Sequence, residues 1–329
     1  ICKLNFKSSI CMIPRQAAKT LERLAKGFPV VAITGPRQSG KTTLARSLFP
    51  KKPYVSLENL DEREFARSDP KRFLGRFPEG AVLDEVQRCP DLFSWLQGVV
   101  DERGIMGDFV LTGSVQFDRM VGITQSLAGR VGRLELLPLS VQELDQVQAV
   151  PDRVSQLLWQ GGYPALYDRE VEPTDWFANY VATYIERDLR QIIKVQDLAQ
   201  FQVFVKMCAA RTGQLLNLSS LAADCGISHT TARQWLSVLQ SSYLVTMLHA
   251  HHKNFGKRMV KAPKLYFLDV GLASWLLGIR DAQSLETHAS RGALFETWVV
   301  SEHCKNRFNL GQPLDFFFWR DSAGHEVDL

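Results

Sequence analysis

Short apolar runs alternate with polar or amphipathic stretches along the first 140 residues. Continuous apolar runs that are closed by glycine, proline or polar residues are typical of strands buried on both faces. The stretches between them repeat apolar residues at helical spacing. Strands that alternate with helices predict a parallel, doubly wound α/β sheet. The five predicted strands lie within residues 28–35, 53–59, 80–87, 107–114 and 133–140.

The pattern changes after Ser140. We expect mostly helices at first, then a compact helical unit that ends in a hairpin, and finally a helix followed by two strand-like pieces around a turn. Met12 is the expected natural start, and residues 1–11 are read as an upstream extension. The four predicted regions are 12–140, 141–199, 200–280 and 281–329.

Composition excludes few classes of protein. Hydrophobic residues make up 45% of the chain, charged residues make up 22%, and the net charge is +4, as in an ordinary globular protein. The six cysteines are scattered without a C-x-x-C pair, which favours a reduced, cytoplasmic protein over a disulfide framework or a zinc site. No apolar run reaches the ~18 residues of a membrane span, so we expect no membrane partner.

The stretch "GPRQSGKTT" lies between a predicted strand and a predicted helix. Gly35 and Gly40 permit a loop whose N–H groups wrap phosphates. Lys41 would reach the β- and γ-phosphates of ATP, and the Thr42 hydroxyl would bind Mg²⁺. The flanking strand and helix disfavour a chance match to a glycine-rich turn. The residues predicted to bind ATP here are Gly35, Pro36, Arg37, Gln38, Ser39, Gly40, Lys41, Thr42 and Thr43.

"VLDEVQ" places two carboxylates at the end of the third predicted strand. Asp84 is positioned to hold Mg²⁺ through water, and Glu85 to activate the attacking water. A solvated acidic pair that merely closes the strand is the alternative. The absence of an N-K-x-D stretch disfavours GTP as the nucleotide.

Two weaker signals follow along the chain. Thr112 and Ser114 close the fourth strand, where they either sense the γ-phosphate and orient the water or simply form a turn. Arg130 and Arg133 flank the start of the fifth predicted strand. If subunits associate as a ring or dimer, one of them, with Arg130 favoured, would act as an arginine finger on a neighbour's γ-phosphate.

Residues 216–245 predict a helix, a tight turn and a second helix. Ser219 is expected to cap the first helix and Ser228 the second, with Gly226 in the turn. From His229 to Lys264 there are six Lys or Arg and no Asp or Glu, which is typical of a surface that contacts phosphates of double-stranded DNA. The alternative is a module that packs against protein and has a solvated basic face. The candidate DNA contacts are His229, Thr230, Arg233, Gln234, Lys253, Lys257 and Arg258.

Two acidic residues near the end of the chain occupy positions that a metal-dependent nuclease would use. Glu296 lies on a predicted helix and Asp328 at the end of a predicted strand. Nucleases of the PD-(D/E)XK type add an E-x-K strand, in which the lysine helps to activate water. That strand is absent from this sequence, so the residues alone favour an ordinary charged hairpin.

These stretches together resemble a widespread prokaryotic family of AAA-type P-loop ATPases with a C-terminal domain of unknown function. The motifs follow one another from Ile13 to the end, including "VLDEVQRCPDLFSWLQGVVDE", "SLAGRVGRLELLPLS" and "KAPKLYFLDVGLASWLLG". The resemblance implies an α/β P-loop NTPase sheet, a winged-helix segment and a truncated α+β region similar to restriction endonucleases. It also implies ATP and Mg²⁺ as ligands, and it gives Asp84, Glu85, Glu296 and Asp328 the roles stated above.

Three functions remain open at this level. The first is an ATPase whose nucleotide state positions a basic winged helix on DNA. The second is a signalling ATPase whose winged helix packs internally and relays the state to a protein partner. The third is an ATP-gated nuclease, which requires that the natural chain continue past Leu329.

Overall fold

The computed structural model describes residues 13–115, 127–189, 197–251, 262–320 and 325–329. Its first region contains five parallel strands in the order β2-β3-β4-β1-β5. This confirms the mixed α/β class and the parallel sheet. The fifth strand begins two residues before the predicted run, at Val131. The strands are β1 (Val30–Thr34), β2 (Tyr54–Ser56), β3 (Ala81–Asp84), β4 (Phe109–Gly113) and β5 (Val131–Glu135).

Helices cover both faces of this sheet, which explains why its strands read as unbroken apolar runs. Val31 and Ile33 of β1 face a core shared with α1 and α2, whereas Val30 and Ala32 face a core built with α3, α4 and α5. Successive residues of a strand point to opposite faces, so both sets must be apolar. The helices are α1 (Ala17–Gly27), α2 (Lys41–Leu48), α3 (Leu60–Ser68), α4 (Pro70–Gly75) and α5 (Leu92–Arg103).

A helical connector follows β5. Aromatic contacts join Tyr163, Trp176 and Tyr180, which are buried in one core with the next region. The connector ends in a π-helix, Val181–Leu189, a rare form that is frequent at functional sites. The α-helices of the connector are α6 (Val141–Asp145), α7 (Val154–Gln160), α8 (Ala165–Asp168) and α9 (Pro173–Tyr180).

The next region contains the predicted helix-turn-helix, here the HTH region, and a three-stranded antiparallel sheet in the order β6-β8-β7. Ser228 caps the second helix by accepting from the Thr231 N–H, as predicted. The prediction that Ser219 caps the first helix is wrong. That helix begins at Leu218, two residues before the start that a Ser219 cap would give, and the Asn217 side chain accepts from the Ser220 N–H. The elements are α10 (Leu198–Ala210), β6 (Gln214–Leu215), α11 (Leu218–Asp224), α12 (His229–Ser241), β7 (Val245–Leu248) and β8 (Lys264–Phe267).

The last region packs a long helix against the HTH region and the connector. Its two terminal strands pair antiparallel, with Trp319 opposite Val327. Among the helices in the described ranges, none combines the length and apolar character needed to cross a bilayer. The elements are α13 (Val270–Leu276), α14 (Ala282–Glu286), α15 (Arg291–Asn309), β9 (Trp319–Arg320) and β10 (Glu326–Val327).

Truncation of a leucine in β3 tests the two-sided burial of the sheet. Leu83 is 0% exposed, and Leu83→Ala should lower the free energy of unfolding by about 2–5 kcal/mol because it leaves a cavity. Leu60, at the start of α3, is 68% exposed, so Leu60→Ala should change the free energy of unfolding by no more than about 0.5 kcal/mol. Urea unfolding followed by circular dichroism measures both; equal losses would contradict the burial described.

Candidate active site at the carboxyl edge of the parallel sheet

The loop between β1 and α2 has the backbone that a phosphate site requires. A side chain at Gly35 would place its Cβ 2.0 Å from the Leu136 carbonyl oxygen, so only glycine fits against the end of β5. Gly40, at φ 93°, and Gln38, at φ 62°, have left-handed backbone. The Ser39 hydroxyl is buried, and no residue in the described ranges hydrogen bonds to it. A buried polar atom in this position suits a phosphate ligand.

Lys41 opens α2 and is buried, 5% exposed. Its Nζ donates to the carbonyl oxygens of Gly35, at 3.0 Å, and Pro36, at 2.7 Å. Burial lowers the pKa of Lys41 from 10.5 to about 8, while the carboxylates of Glu85 and Asp84 oppose that shift. The ammonium therefore lies inside the loop, where the negative charge of phosphate oxygens would stabilise it.

Asp84 ends β3 and accepts hydrogen bonds from three hydroxyl groups. Thr42 donates to Oδ1 at 2.8 Å, Thr112 donates to the same oxygen, and Tyr54 donates to Oδ2 at 2.8 Å. Burial and the bond to Asp84 raise the pKa of Tyr54 to about 12, so its hydroxyl remains a donor at neutral pH. Carboxylate and hydroxyl oxygens are the hard donors that Mg²⁺ prefers, and the Asp84–Thr42 pair fits that ion.

Glu85 follows immediately, in left-handed backbone at φ 55°. Its N–H donates to the Thr112 hydroxyl at 3.3 Å, and its carboxylate accepts from Ser114 at 3.3 Å and from Gln87. The structure therefore brings the four predicted residues Asp84, Glu85, Thr112 and Ser114 into one hydrogen-bonded group. β4 lies between β1 and β3, which explains why its end meets both carboxylates.

Sequence reasoning missed Arg15, which fixes the loop from behind. Its guanidinium donates to the carbonyl oxygens of Ser39 and Leu137, both at 2.6 Å, and to the Glu143 carboxylate at 3.0 Å. Glu143 is 0% exposed and also completes the capping box of α6. An arginine paired with a buried acid in the connector is a tertiary contact, and its only sequence signal is the capping pattern at Ser140.

A cavity of about 430 Å³ lies beside the start of α2, between the sheet region and the connector. Its walls are mostly apolar, with Asp168 and Arg169 at the connector side. The phosphate loop lines the cavity through Gly40 and Thr43, the residues on either side of Lys41 and Thr42. The other lining residues are Ile13, Pro14, Arg15, Ala18, Thr43, Leu44, Ser47, Leu48, Leu139 and Pro164.

Arg130 lies at the opposite edge of the sheet. Its carbonyl accepts from the N–H of Val30, the first residue of β1, and its guanidinium donates to Asp101 of α5. At ~3.3 Å per strand residue, this position is about 20 Å from Gly35. Arg130 therefore cannot reach the nucleotide of its own chain, and its role on a neighbour stays a prediction. Arg133 lies in β5 with an exposed side chain.

Tyr243, just after α12, reaches the end of β1 from the HTH region. Its hydroxyl donates to Glu135 at 2.8 Å and accepts from Thr34 at 2.6 Å. Thr34 immediately precedes Gly35, and Glu135 ends β5. A 2% exposed tyrosine thus joins the HTH region to the two strands that support the phosphate loop. Sequence reasoning missed this contact because it joins residues far apart along the chain.

The predicted DNA-contacting face of α12 is exposed. Ala232, Trp235, Leu236 and Leu239 of the same helix are buried in the core. The face opposite them is therefore not covered by the rest of the chain in the described ranges. Its exposed residues are His229, Thr230, Arg233 and Gln234. Lys253, Lys257 and Arg258 lie outside the described residues.

The predicted nuclease-like residues meet around a lysine. Lys264 of β8 is buried, and its Nζ pairs with Glu296 at 2.9 Å, Asp328 at 2.7 Å and Glu326. Although burial lowers it, hydrogen bonds to these carboxylates raise the pKa of Lys264 above its ordinary value. In the described ranges, no group of three His, Cys, Asp or Glu is placed to hold a metal ion. The interpretation of Glu296 and Asp328 as nuclease-like residues stays a prediction.

Solved structures of similar fold include a Walker-type ATPase of Pyrococcus abyssi, at 14% identity and TM-score 0.49, covering 79% of this chain and 94% of that one. DnaA from Aquifex aeolicus, bound to AMPPCP, matches at 12% identity and TM-score 0.37 over 68% of this chain and 85% of that one.

The family described as "AAA domain" matches residues 27–145, and two domains of unknown function, DUF8612 and DUF4143, match residues 151–283 and 291–329. The uncharacterized proteins Rv2008c of Mycobacterium tuberculosis and Mb2031c of Mycobacterium bovis are each 34% identical over 325 residues, covering 97% of this chain and 71% of theirs. The chain therefore belongs to the family of these mycobacterial proteins, and its first region is an AAA-type, nucleotide-binding ATPase domain.

Proposed function

We propose that this chain is a Mg²⁺-dependent ATP hydrolase. The observation that supports the proposal is the group formed by Lys41, Thr42, Asp84, Glu85 and Thr112 at one edge of the sheet. It combines a buried cation for phosphates, oxygen donors for a hard metal ion, and a separate carboxylate for water.

Each side chain has a defined part in the hydrolysis. The loop N–H groups and Lys41 bind the β- and γ-phosphates, and Thr42 and Asp84 would hold the metal. When bound, Mg²⁺ offsets the negative charge that develops on the phosphate oxygens. Glu85 accepts the proton of the attacking water, while Ser114 and Gln87 fix the direction of its carboxylate. Thr112 links the two acidic residues, because it donates to the Asp84 carboxylate and accepts from the backbone N–H of Glu85.

The cavity beside α2 suits the base and ribose of the nucleotide. Leu44 and Leu48 of α2 and Pro164 of the connector offer apolar surface to a flat ring. The phosphate chain would run from there over Gly40 to Lys41. Because α2 and the connector form opposite walls, a bound nucleotide would contact both regions, and its loss would free them to move apart.

We further propose that the nucleotide state acts on double-stranded DNA through the HTH region, treated as a winged helix. Tyr243 supports this coupling, because any shift of β1 or β5 on ATP binding would move its hydroxyl partners Thr34 and Glu135. The exposed face around Arg233 supports a DNA contact. The second candidate, a relay to a protein partner, is favoured by the same Tyr243 contact, since it shows the region docked on the ATPase core.

Two substitutions separate nucleotide binding from turnover. Lys41→Ala should abolish ATP binding, because it removes the cation that the loop carbonyls hold in place. Glu85→Gln should keep ATP affinity within about threefold but lower kcat by about 10²-fold or more, since the amide cannot accept the proton. Calorimetry and phosphate release measure the two effects. Tight ATP binding by Lys41→Ala, or unchanged turnover by Glu85→Gln, would contradict these assignments.

The affinity for ATP should fall as the pH rises through about 8. The lowered pKa of Lys41 means that the free protein loses this charge above about 8, whereas bound phosphates favour the charged form. Binding at higher pH must therefore take up a proton, and Kd should rise up to about tenfold per pH unit. Calorimetry between pH 7 and 9.5 in buffers of different ionisation enthalpy measures both quantities. Constant affinity without proton uptake would contradict the buried ammonium.

Salt-dependent turnover distinguishes the two proposed partners. Duplex DNA should stimulate ATP hydrolysis at low salt and lose this effect steeply as salt increases. Arg233→Ala should weaken DNA binding and reduce the slope of log affinity against log salt by about 1, without changing basal turnover. Arg72→Ala, an exposed arginine on α4, is the matched control. Hydrolysis that is indifferent to DNA would leave the relay to a protein partner as the better account.

A further inference from the structure

Arg37, the third residue of the phosphate loop, points toward the catalytic edge of the sheet. Its Nη2 pairs with Glu58 at 2.9 Å, and Glu58 follows β2 just beyond its carboxyl end. The same Oε1 atom of Glu58 accepts from Arg88 at 3.1 Å, and Arg88 follows β3. Arg37 therefore lies on the same side of the sheet as Asp84 and Glu85.

The charge of Arg37 acts on the site itself. Its guanidinium belongs to the same short loop as the buried Lys41 ammonium, whose Nζ donates to the carbonyl of Pro36, the residue before Arg37. Two cations of one loop thus lie close together, and like charges repel each other. Bound phosphates would remove this repulsion, because a multiply charged anion pairs with both.

The contact with Glu58 is weak enough to exchange. The side chains of Arg37 and Glu58 are 24% and 48% exposed, and ion pairs that face solvent contribute little to stability. One carboxylate oxygen of Glu58 is shared between the guanidinium groups of Arg37 and Arg88. The planar guanidinium fork can bind two oxygens of a phosphate at once, and a phosphate chain carries more negative charge than one carboxylate, so it can compete with this shared carboxylate.

The connector also contacts this arginine. The Arg37 guanidinium carbon lies 5.6 Å from the ring centroid of Tyr184, which belongs to the π-helix Val181–Leu189. A cation over an aromatic face is held without loss of its hydrogen-bond donors, so Arg37 can contact Tyr184 and still donate to an anion. A movement of Arg37 would therefore be transmitted to the connector.

We infer that Arg37 is a catalytic residue that exchanges Glu58 for the γ-phosphate of the ATP bound to its own chain. The inference rests on the proposed ATP hydrolysis. A bond forms between the water oxygen and the γ-phosphorus, and the bond from that phosphorus to the β–γ bridging oxygen breaks. The electron pair remains on the ADP oxygen, and the water proton passes to Glu85. Arg37 binds the γ-phosphate oxygens throughout and offsets their charge.

The first measurement separates chemistry from binding. Arg37→Ala should lower kcat by about 10³-fold, the effect expected of an arginine finger, while the Kd for ADP stays within about threefold of wild type. The tight binding of ADP with aluminium fluoride, which mimics the transferred phosphoryl group, should be lost. Arg88→Ala, which removes the other arginine from Glu58, is the matched control and should leave both quantities unchanged. Circular dichroism verifies that each variant is folded.

Subunit mixing tests whether Arg37 acts on its own chain. Arg37→Ala keeps Lys41, and Lys41→Ala keeps Arg37, so a mixture would regain turnover if the arginine served a neighbouring chain. We expect no recovery at any ratio or protein concentration. Recovery of turnover in the mixture would overturn the inference that Arg37 acts on the nucleotide bound to its own chain.

The remaining outcomes distinguish the two levels of the account. If the wild-type protein hydrolyses ATP and Arg37→Ala hydrolyses it at the same rate, the inference about Arg37 is overturned and the proposed function stands. A wild-type protein that binds ATP without hydrolysing it would overturn the proposed function. Loss of ADP affinity in Arg37→Ala in proportion to kcat would assign Arg37 to ground-state binding and overturn its catalytic role.

Discussion

The carboxylate of Asp84 is the contact on which the site depends. Asp84 lies at the end of a buried strand and is 7% exposed. Its carboxylate accepts hydrogen bonds from the hydroxyl groups of Thr42 in α2, Tyr54 in β2 and Thr112 in β4. A buried carboxylate is tolerated only when such donors replace the water that it loses. The hydrogen bonds that Asp84 needs therefore hold three other elements at fixed positions. The same oxygens suit a magnesium ion, and the hydroxyl groups therefore orient the metal ligand before any nucleotide binds.

The phosphate loop is held from two further directions. Arg15 and Glu143 fasten its outer side to the connector, and Tyr243 fastens the end of β1 to the HTH region. These contacts are hydrogen bonds and ion pairs of buried groups, which have few alternative geometries. The loop is thus a junction of three regions. A ligand that moves it would act on the connector and on the HTH region together, which is the physical basis for the proposed coupling.

The sequence predicts well what local pattern determines. The five parallel strands, the loop before Lys41 and the acidic pair at Asp84 all follow from runs of neighbouring residues, and the mixed α/β class is confirmed. Ser219 was a wrong cap because polar residues stand at 217, 219 and 220, and only the backbone decides where the helix starts; it starts at Leu218, so Asn217 lies outside α11 and Ser219 within it. The cap at Asn217 shows that such choices lie beyond pattern alone.

Tertiary partners could not be predicted in the same way. Tyr54 meets Asp84 only because β2 pairs with β3 in a particular register, with Ser56 opposite Asp84. Lys264 meets Glu296 and Asp328 because a strand of the HTH region lies beside α15.

The most direct test of the account is the Mg²⁺ dependence of phosphate release at saturating ATP, in wild type and in Asp84→Asn. We predict that wild-type turnover requires Mg²⁺ and that Asp84→Asn needs a far higher concentration; wild-type turnover that persists in EDTA, or the same Mg²⁺ requirement in both proteins, would contradict it.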